Sequence, residues 1–173
     1  MVSTLAEFRI NISNLPEGSH EYLFEVLPAE IGLENRFIEK VRVQASLEKA
    51  STQLLLRTTV EAKARFECDR CLDEYETTLK TKYSMVYVVD ERSMDGVRED
   101  DEIRVLSADT NYIDLEDDVR QFIQLTVPQK LLCKESCKGI CPVCGGNKNH
   151  TQCECSTEKI DSRWELLKKL SHN

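Results

Sequence analysis

The sequence predicts an α+β protein: an antiparallel β-sheet of hairpins and a meander, one helix packed on it, and a Cys-rich C-terminal segment. Three observations predict this. Apolar residues recur at every second position through much of the first ninety residues, as half-buried strands require. One stripe at helical spacing runs from Leu115 to Val127. Six of the eight cysteines fall between Cys133 and Cys155.

A chain of 173 residues, 40% of them hydrophobic, suffices for one core and a small appendage. With 6% aromatic and 31% charged residues, that core is aliphatic and the surface wet. The expected division is a β-rich α+β domain over 1–128 and a Cys-rich tail over 129–173.

The elements follow in order. AEFRINIS places Phe8, Ile10 and Ile12 on one side of a strand, and EYLFEVL sets Tyr22, Phe24 and Val26 against Leu23, Glu25 and Leu27. Pro28 to Leu33 reads as a helical turn. Between Arg36 and Phe66 lies a hairpin turning at Lys49 to Thr52, with Val41, Val43, Ala45 and Leu47 alternating in its first strand. A further strand leaves the Cys68–Cys71 turn, alternating through Leu79, Tyr83, Met85 and Tyr87, so this CxxC occupies a hairpin tip. Residues about 90–111 are polar and acidic and read as a long solvated loop. A helix is expected over about 114–127, with Asp114 as cap, acids in its first turn and Pro128 as its stop. A short terminal helix is expected from Asp161, with Trp164, Leu167 and Leu170 on one face.

Charge restricts the partners. The net charge is −8, but residues 1–128 hold 15 Lys+Arg against 26 Asp+Glu, while residues 129–173 hold 8 against 5. Polyanion binding depends on Lys and Arg neutralising phosphates, so the whole surface is excluded and only the tail or local spots remain. The first twenty residues read as neither a transit nor a secretory leader, and no stretch approaches the ~20 apolar residues of a membrane span. The expectation is a soluble, cytoplasmic protein without a membrane partner. Clustered cysteines in a reducing compartment read as metal ligands before disulfides.

CPVCGG is the sharpest local signal. Two thiolates at i and i+3 around a tight turn can grip one tetrahedral Zn²⁺, and glycines after the second permit the left-handed backbone of such knuckles. Cys141, Cys144, Cys153 and Cys155 form one natural set of four, although CEC must turn to aim both sulfurs at one ion. Cys133 and Cys137 would share one face of a helical turn and, with Cys68 and Cys71, make a second set. The rival is a single site from Cys133, Cys137, Cys141 and Cys144, and His150 is an alternative ligand. The spacings do not match the best-known iron–sulfur patterns. A redox CxxC normally opens a helix near a βαβ unit, which is not the context here. The three histidines (His20, His150, His172) give no nucleophile dyad by sequence. The chain reads as neither an enzyme nor a binder of a small-molecule substrate.

Three ordered motifs then carry a family resemblance: FECDRCLDEYETTL (66–79) with its C-x-R-C-L turn entering a strand, IDLEDDVRQFIQLTVPQKLLC (113–133), and CKGICPVCGGNKN (137–149) followed by CEC and DSR. The chain resembles the YceD-like family, described as large ribosomal RNA subunit accumulation proteins. Lys148 and Ser162 depart from the usual pattern, but neither removes a possible ligand. The resemblance implies a non-enzymatic role in accumulation of large-subunit (23S) rRNA, hence ribosome assembly, with a pre-ribosomal particle as partner. Two routes are open. The zinc-ordered tail touches rRNA, with Arg70, Lys134, Lys138, Lys148 and Arg163 as phosphate contacts, or the protein is a zinc-stabilised adaptor that holds a basic ribosomal protein without touching RNA.

Overall fold

The computed structural model describes residues 8–88, 102–107 and 109–155. The terminal helix expected from Asp161 and most of the acidic stretch after Val89 lie outside them. The described residues fall into two compact units, one within Met1–Phe66 and Tyr75–Gln129, the other within Glu67–Glu74 and Lys130–Asn173. The Cys68–Cys71 turn belongs to the second unit.

The first unit is built on a five-stranded sheet in the order β2-β3-β4-β5-β6. Its strands are β2 (Gly18–Val26), β3 (Val41–Lys49), β4 (Gln53–Glu67), β5 (Glu74–Val88) and β6 (Glu102–Val105). The expected period of two is what the chain does: Val41, Val43, Ala45 and Leu47 on β3 are fully buried, and Leu54, Leu56, Val60, Ala62, Ala64 and Phe66 line the same side of β4. The opposite face carries charge pairs, among them Lys80 with Glu61 at 2.7 Å and Lys63 with Glu39 at 2.7 Å. The β3–β4 hairpin turns where Ala50 N–H donates to the Gln53 carbonyl. Phe8, Ile10 and Ile12 are buried around β1 (Arg9–Asn11), which pairs with β7 (Tyr112–Asp114) in a separate two-stranded sheet. Pro28–Ile31 is a 3-10 helix, as the expected turn there required.

Two expectations need correction. The sheet is mixed, because β6 runs parallel to β5 at its edge, Val86 beside Ile103 and Val88 beside Val105. β6 lies inside the stretch read as loop. Glu102, Arg104 and their neighbours made the segment look solvated, but an edge strand keeps its charged side chains in water, so charge does not oppose strand pairing there. All four residues of β6 are exposed. The alternation in EIRV was the available signal.

Helix α1 (Glu116–Thr126) carries Glu116, Asp117 and Asp118 in its first turn, where the helix dipole favours anions. Asp114 Oδ1 accepts the Glu116 N–H at 3.0 Å. Leu115, Val119 and Ile123 are fully buried, and Phe122 stacks on Tyr83 of β5, ring centroids 4.2 Å apart and 3° from parallel. Asp118, 1% exposed, is the charged member of this buried face. It takes Arg104 from β6, whose Nη1 donates to Oδ2 at 3.1 Å. Because Ile123 fills the space between helix and sheet, Ile123→Ala is expected to destabilise the first unit by about 2–5 kcal/mol. Leu125→Ala, at a position 79% exposed, is expected to shift stability by less than about 0.5 kcal/mol. Denaturant titration followed by far-UV circular dichroism compares the two; equal midpoints would contradict the packing.

Candidate metal centre

The described residues of the second unit hold almost no regular structure and almost no apolar core. Among its described residues the buried apolar side chains are four cysteines, Cys68, Cys71, Cys137 and Cys141. A fold of this size needs a further source of stability, and its thiols are placed to provide one. Cys68, Cys71, Cys133 and Cys137 form one cluster; Cys141, Cys144, Cys153 and Cys155 form another. Within each, the sulfurs all lie within 4.8 Å of one another. Cys68 and Cys137 sulfurs are 3.8 Å apart, and those of Cys71 and Cys133 3.7 Å. Four sulfurs about 2.3 Å from a central ion stand about 3.8 Å apart along each tetrahedral edge. The cysteines are free thiols, since a disulfide holds its sulfurs at about 2.05 Å. The set proposed as a single site, Cys133 and Cys137 with Cys141 and Cys144, is divided between the two clusters.

The two CxxC turns share one geometry. In the first, the Leu72 N–H donates to the Cys68 carbonyl at 2.9 Å; in the second, the Gly145 N–H donates to the Cys141 carbonyl at 2.8 Å. Each turn ends left-handed, at φ 62° for Leu72 and 73° for Gly145. For glycine this conformation is free, whereas for leucine it costs about 1–2 kcal/mol. The N–H groups inside each turn point at the first sulfur. At Cys141, the N–H groups of Cys144 and Val143 lower the thiol to about 6. At Cys68, burial works against ionisation, but the N–H groups of Cys133, Arg70 and Cys71 outweigh it and bring the thiol to about 6. Cys155 is pushed up to about 12, first by its bond with the Cys144 sulfur. Each cluster thus holds a thiol poised to ionise beside thiols that resist further negative charge, the arrangement a cation resolves.

Side chains around the first cluster fix its distant halves. Asp69 exchanges two bonds with Leu131: its N–H donates to the Leu131 carbonyl at 2.8 Å, and its Oδ2 accepts the Leu131 N–H at 2.7 Å. Arg70 Nη1 donates to the carbonyls of Cys137 and Glu135, at 2.9 and 3.3 Å. The Ile140 N–H returns to the Arg70 carbonyl at 3.0 Å, and Gly139, at φ 70°, passes so close that a Cβ would meet that carbonyl at 2.9 Å. Asn149 Nδ2 donates to the Cys137 sulfur at 3.3 Å and draws this thiol down, while Asn147 Nδ2 donates to Asp73 at 2.7 Å. Such outer contacts orient ligands and tune a metal site. Sequence reasoning missed Asp69, Asp73, Asn147 and Asn149 because a turn-forming Asp or Asn looks the same whether or not it crosses to another segment.

Cys133–Cys137 is a tight turn closed by the Cys137 N–H on the Lys134 carbonyl at 3.0 Å, not the helical turn that spacing suggested. Cys153 and Cys155 both turn into one cluster. His150 joins neither, and its Nε2 sits 3.3 Å from Asp73. Lys134, Lys138 and Arg70 are exposed and Lys148 is half-buried, and Arg70 Nη1 also donates to carbonyls. Arg163 lies outside the described residues. Among the described residues no helix is long and apolar enough to cross a membrane.

The family profile described as "Large ribosomal RNA subunit accumulation protein YceD" matches residues 56–171, taking in both CxxC turns and α1. An uncharacterized protein of Mycobacterium tuberculosis is 29% identical over 147 residues, which are 81% of this chain and 68% of that protein. An uncharacterized protein of Mycobacterium leprae is 27% identical over 120 residues, 68% of this chain and 54% of that protein. The chloroplastic YCED homolog 1 of Arabidopsis thaliana, named as a large ribosomal RNA subunit accumulation protein, is 33% identical over 58 residues, 34% of this chain and 18% of that protein. No solved structure matches.

Proposed function

Since the chain belongs to the YceD family of large ribosomal RNA subunit accumulation proteins, we propose that it is a non-enzymatic, zinc-stabilised assembly factor that sustains the level of large-subunit (23S) rRNA in the cytoplasm. The observation that carries the reading is the family match over 56–171 together with two four-cysteine clusters inside it. Thiolate-only sets of four, with no open position, suit structural zinc, which would cross-link the Cys68–Cys71 turn to Cys133–Cys137 and close the Cys141–Cys155 loop. The Cys unit then works as a rigid surface presented to a pre-ribosomal particle.

Two contacts to that particle are compatible with the family. One is phosphate binding through Lys134 and Lys138. The other is capture of a basic ribosomal protein, favoured by the acids Asp69, Asp73 and Glu74 around the Cys68–Cys71 turn. Either way, depleting the protein is expected to lower the ratio of large- to small-subunit rRNA severalfold. The natural gene is expected to restore it, and a Cys137→Ser gene to fall short. Quantifying the two rRNAs in total RNA checks this, and a ratio unmoved by depletion would overturn the reading.

A further inference from the structure

Leu72 is the one non-glycine residue with a left-handed backbone among the described residues. It stands where the second knuckle places Gly145, the residue this conformation favours. Burial within this chain does not account for it, because the side chain is 56% exposed. A lone exposed leucine is ordinary; one held outward at the position where glycine serves the turn better calls for a contact the free chain does not make. Ile140, 40% exposed, lies beside the same turn through its N–H bond to the Arg70 carbonyl.

The chemistry of the partner follows from charge. The described residues of this unit, 67–74 and 130–155, hold five Lys+Arg and six Asp+Glu. Each four-thiolate cluster, if filled with zinc, would add a further charge of −2 to this slight excess of acid. Within three residues of Leu72 stand three acids, Asp69, Asp73 and Glu74, against one cation, the exposed Arg70, whose Nη1 donates to carbonyls. Phosphates are repelled by such a field, and an aliphatic side chain offers bases no stacking face. A polypeptide rich in Lys and Arg, with an apolar pocket for the leucine, fits both features.

We propose that Leu72, with Ile140 beside it, is the anchor by which the Cys unit docks a basic polypeptide segment of the assembling large subunit. The charge half of this inference rests on the zinc reading above; the anchor half rests on backbone and exposure alone.

The test uses full-length protein purified as expressed, with its metal content measured, and two defined probes: total protein stripped from purified large subunits, and deproteinised large-subunit rRNA. Leu72→Gly relieves the strained backbone, so it is expected to keep the metal content and match or exceed the natural chain in thermal stability. It is nevertheless expected to retain a basic large-subunit protein at least tenfold more weakly. Leu72→Asn, which tolerates the same backbone conformation without the apolar surface, is expected to behave likewise, and Val143→Ala, at an exposed position of the other knuckle, to bind normally. Undiminished protein binding by both Leu72 variants would overturn the proposal, as would loss of metal in both, which would make Leu72 a structural residue. Salt-sensitive rRNA retention indifferent to Leu72, without retention of any basic protein, would assign the contact to RNA and also overturn it. If the protein holds no metal yet the Leu72 variants still lose protein binding, the zinc reading fails while the anchor stands.

Discussion

Stripping the metal from the full-length protein is expected to abolish the structure of the Cys unit while the β-sheet persists. In the Cys unit, four cysteines are the buried apolar side chains among the described residues. Without an ion, each cluster is a set of thiols that cannot all ionise together. Structural zinc in small metal-dependent folds supplies about 10–16 kcal/mol per site at neutral pH. The first unit keeps its own core of Val41, Val43, Leu47, Leu56 and Val60 and does not depend on that ion. Metal analysis of protein purified without added metal is expected to find two equivalents of zinc, Cys137→Ser losing one and Cys153→Ser the other. Chelation is expected to remove the hydrogen-exchange protection of the Leu72, Ile140 and Gly145 amides, whose bonds close the knuckles. One equivalent in total, unaffected by Cys137→Ser, would leave the Cys68 cluster without a metal.

The clusters themselves were legible because metal-binding cysteines announce their spacing: CPVC and CDRC each fix two sulfurs on a turn, and eight cysteines divide into two fours. The preferred division, Cys141, Cys144, Cys153 and Cys155 against Cys68, Cys71, Cys133 and Cys137, is the one the clusters follow, but spacing alone left the single-site rival open. Whether Cys133 and Cys137 turn toward Cys68 or toward Cys141 depends on bonds made by Asp69, Arg70 and Asn149 with residues far along the chain. No local pattern distinguishes such bonds from ordinary turn chemistry. In the sheet, the long strands β3, β4 and β5 were readable because one face is apolar and the other charged over many residues. β6 was not, because four exposed residues at an edge obey pairing with a neighbour and not a burial pattern. β7 was unread because three residues, with Ile113 buried between exposed neighbours, are too few to show alternation, and its partner β1 lies about a hundred positions away.

That unread strand sets up the second large effect. Arg104 of β6 is the cation on Asp118 of α1, so the pair ties the edge of the sheet to the helix. Burial raises the Asp118 carboxyl above its ordinary value, and the Arg104 guanidinium opposes that rise; Glu102 and Asp117 add to it. The buried hydroxyls of Tyr83 and Tyr87 face the same charge, the former beside the Thr58 hydroxyl. Arg104→Met therefore strands a carboxylate in an apolar site, a loss of about 3–5 kcal/mol when a buried pair is broken. The lower end is expected, because the Arg104 side chain is 45% exposed and water can follow it out. The sign with pH is fixed. An acid whose folded pKa lies above its unfolded value contributes stability below the unfolded pKa and loses it as pH rises through the folded one. Without Arg104 the folded pKa climbs further, so the deficit against the natural chain is expected to be largest near pH 7 and to shrink as Asp118 takes up a proton at lower pH. Unfolding midpoints of the two chains at pH 7 and pH 5 measure it. Arg104→Met combined with Asp118→Leu is expected to recover most of the loss, since removing both partners leaves no buried charge. A single variant that costs less than about 0.5 kcal/mol at pH 7, no more than an ordinary surface change, would mean that β6 is held by backbone pairing with β5 alone and that Asp118 finds solvent without its arginine.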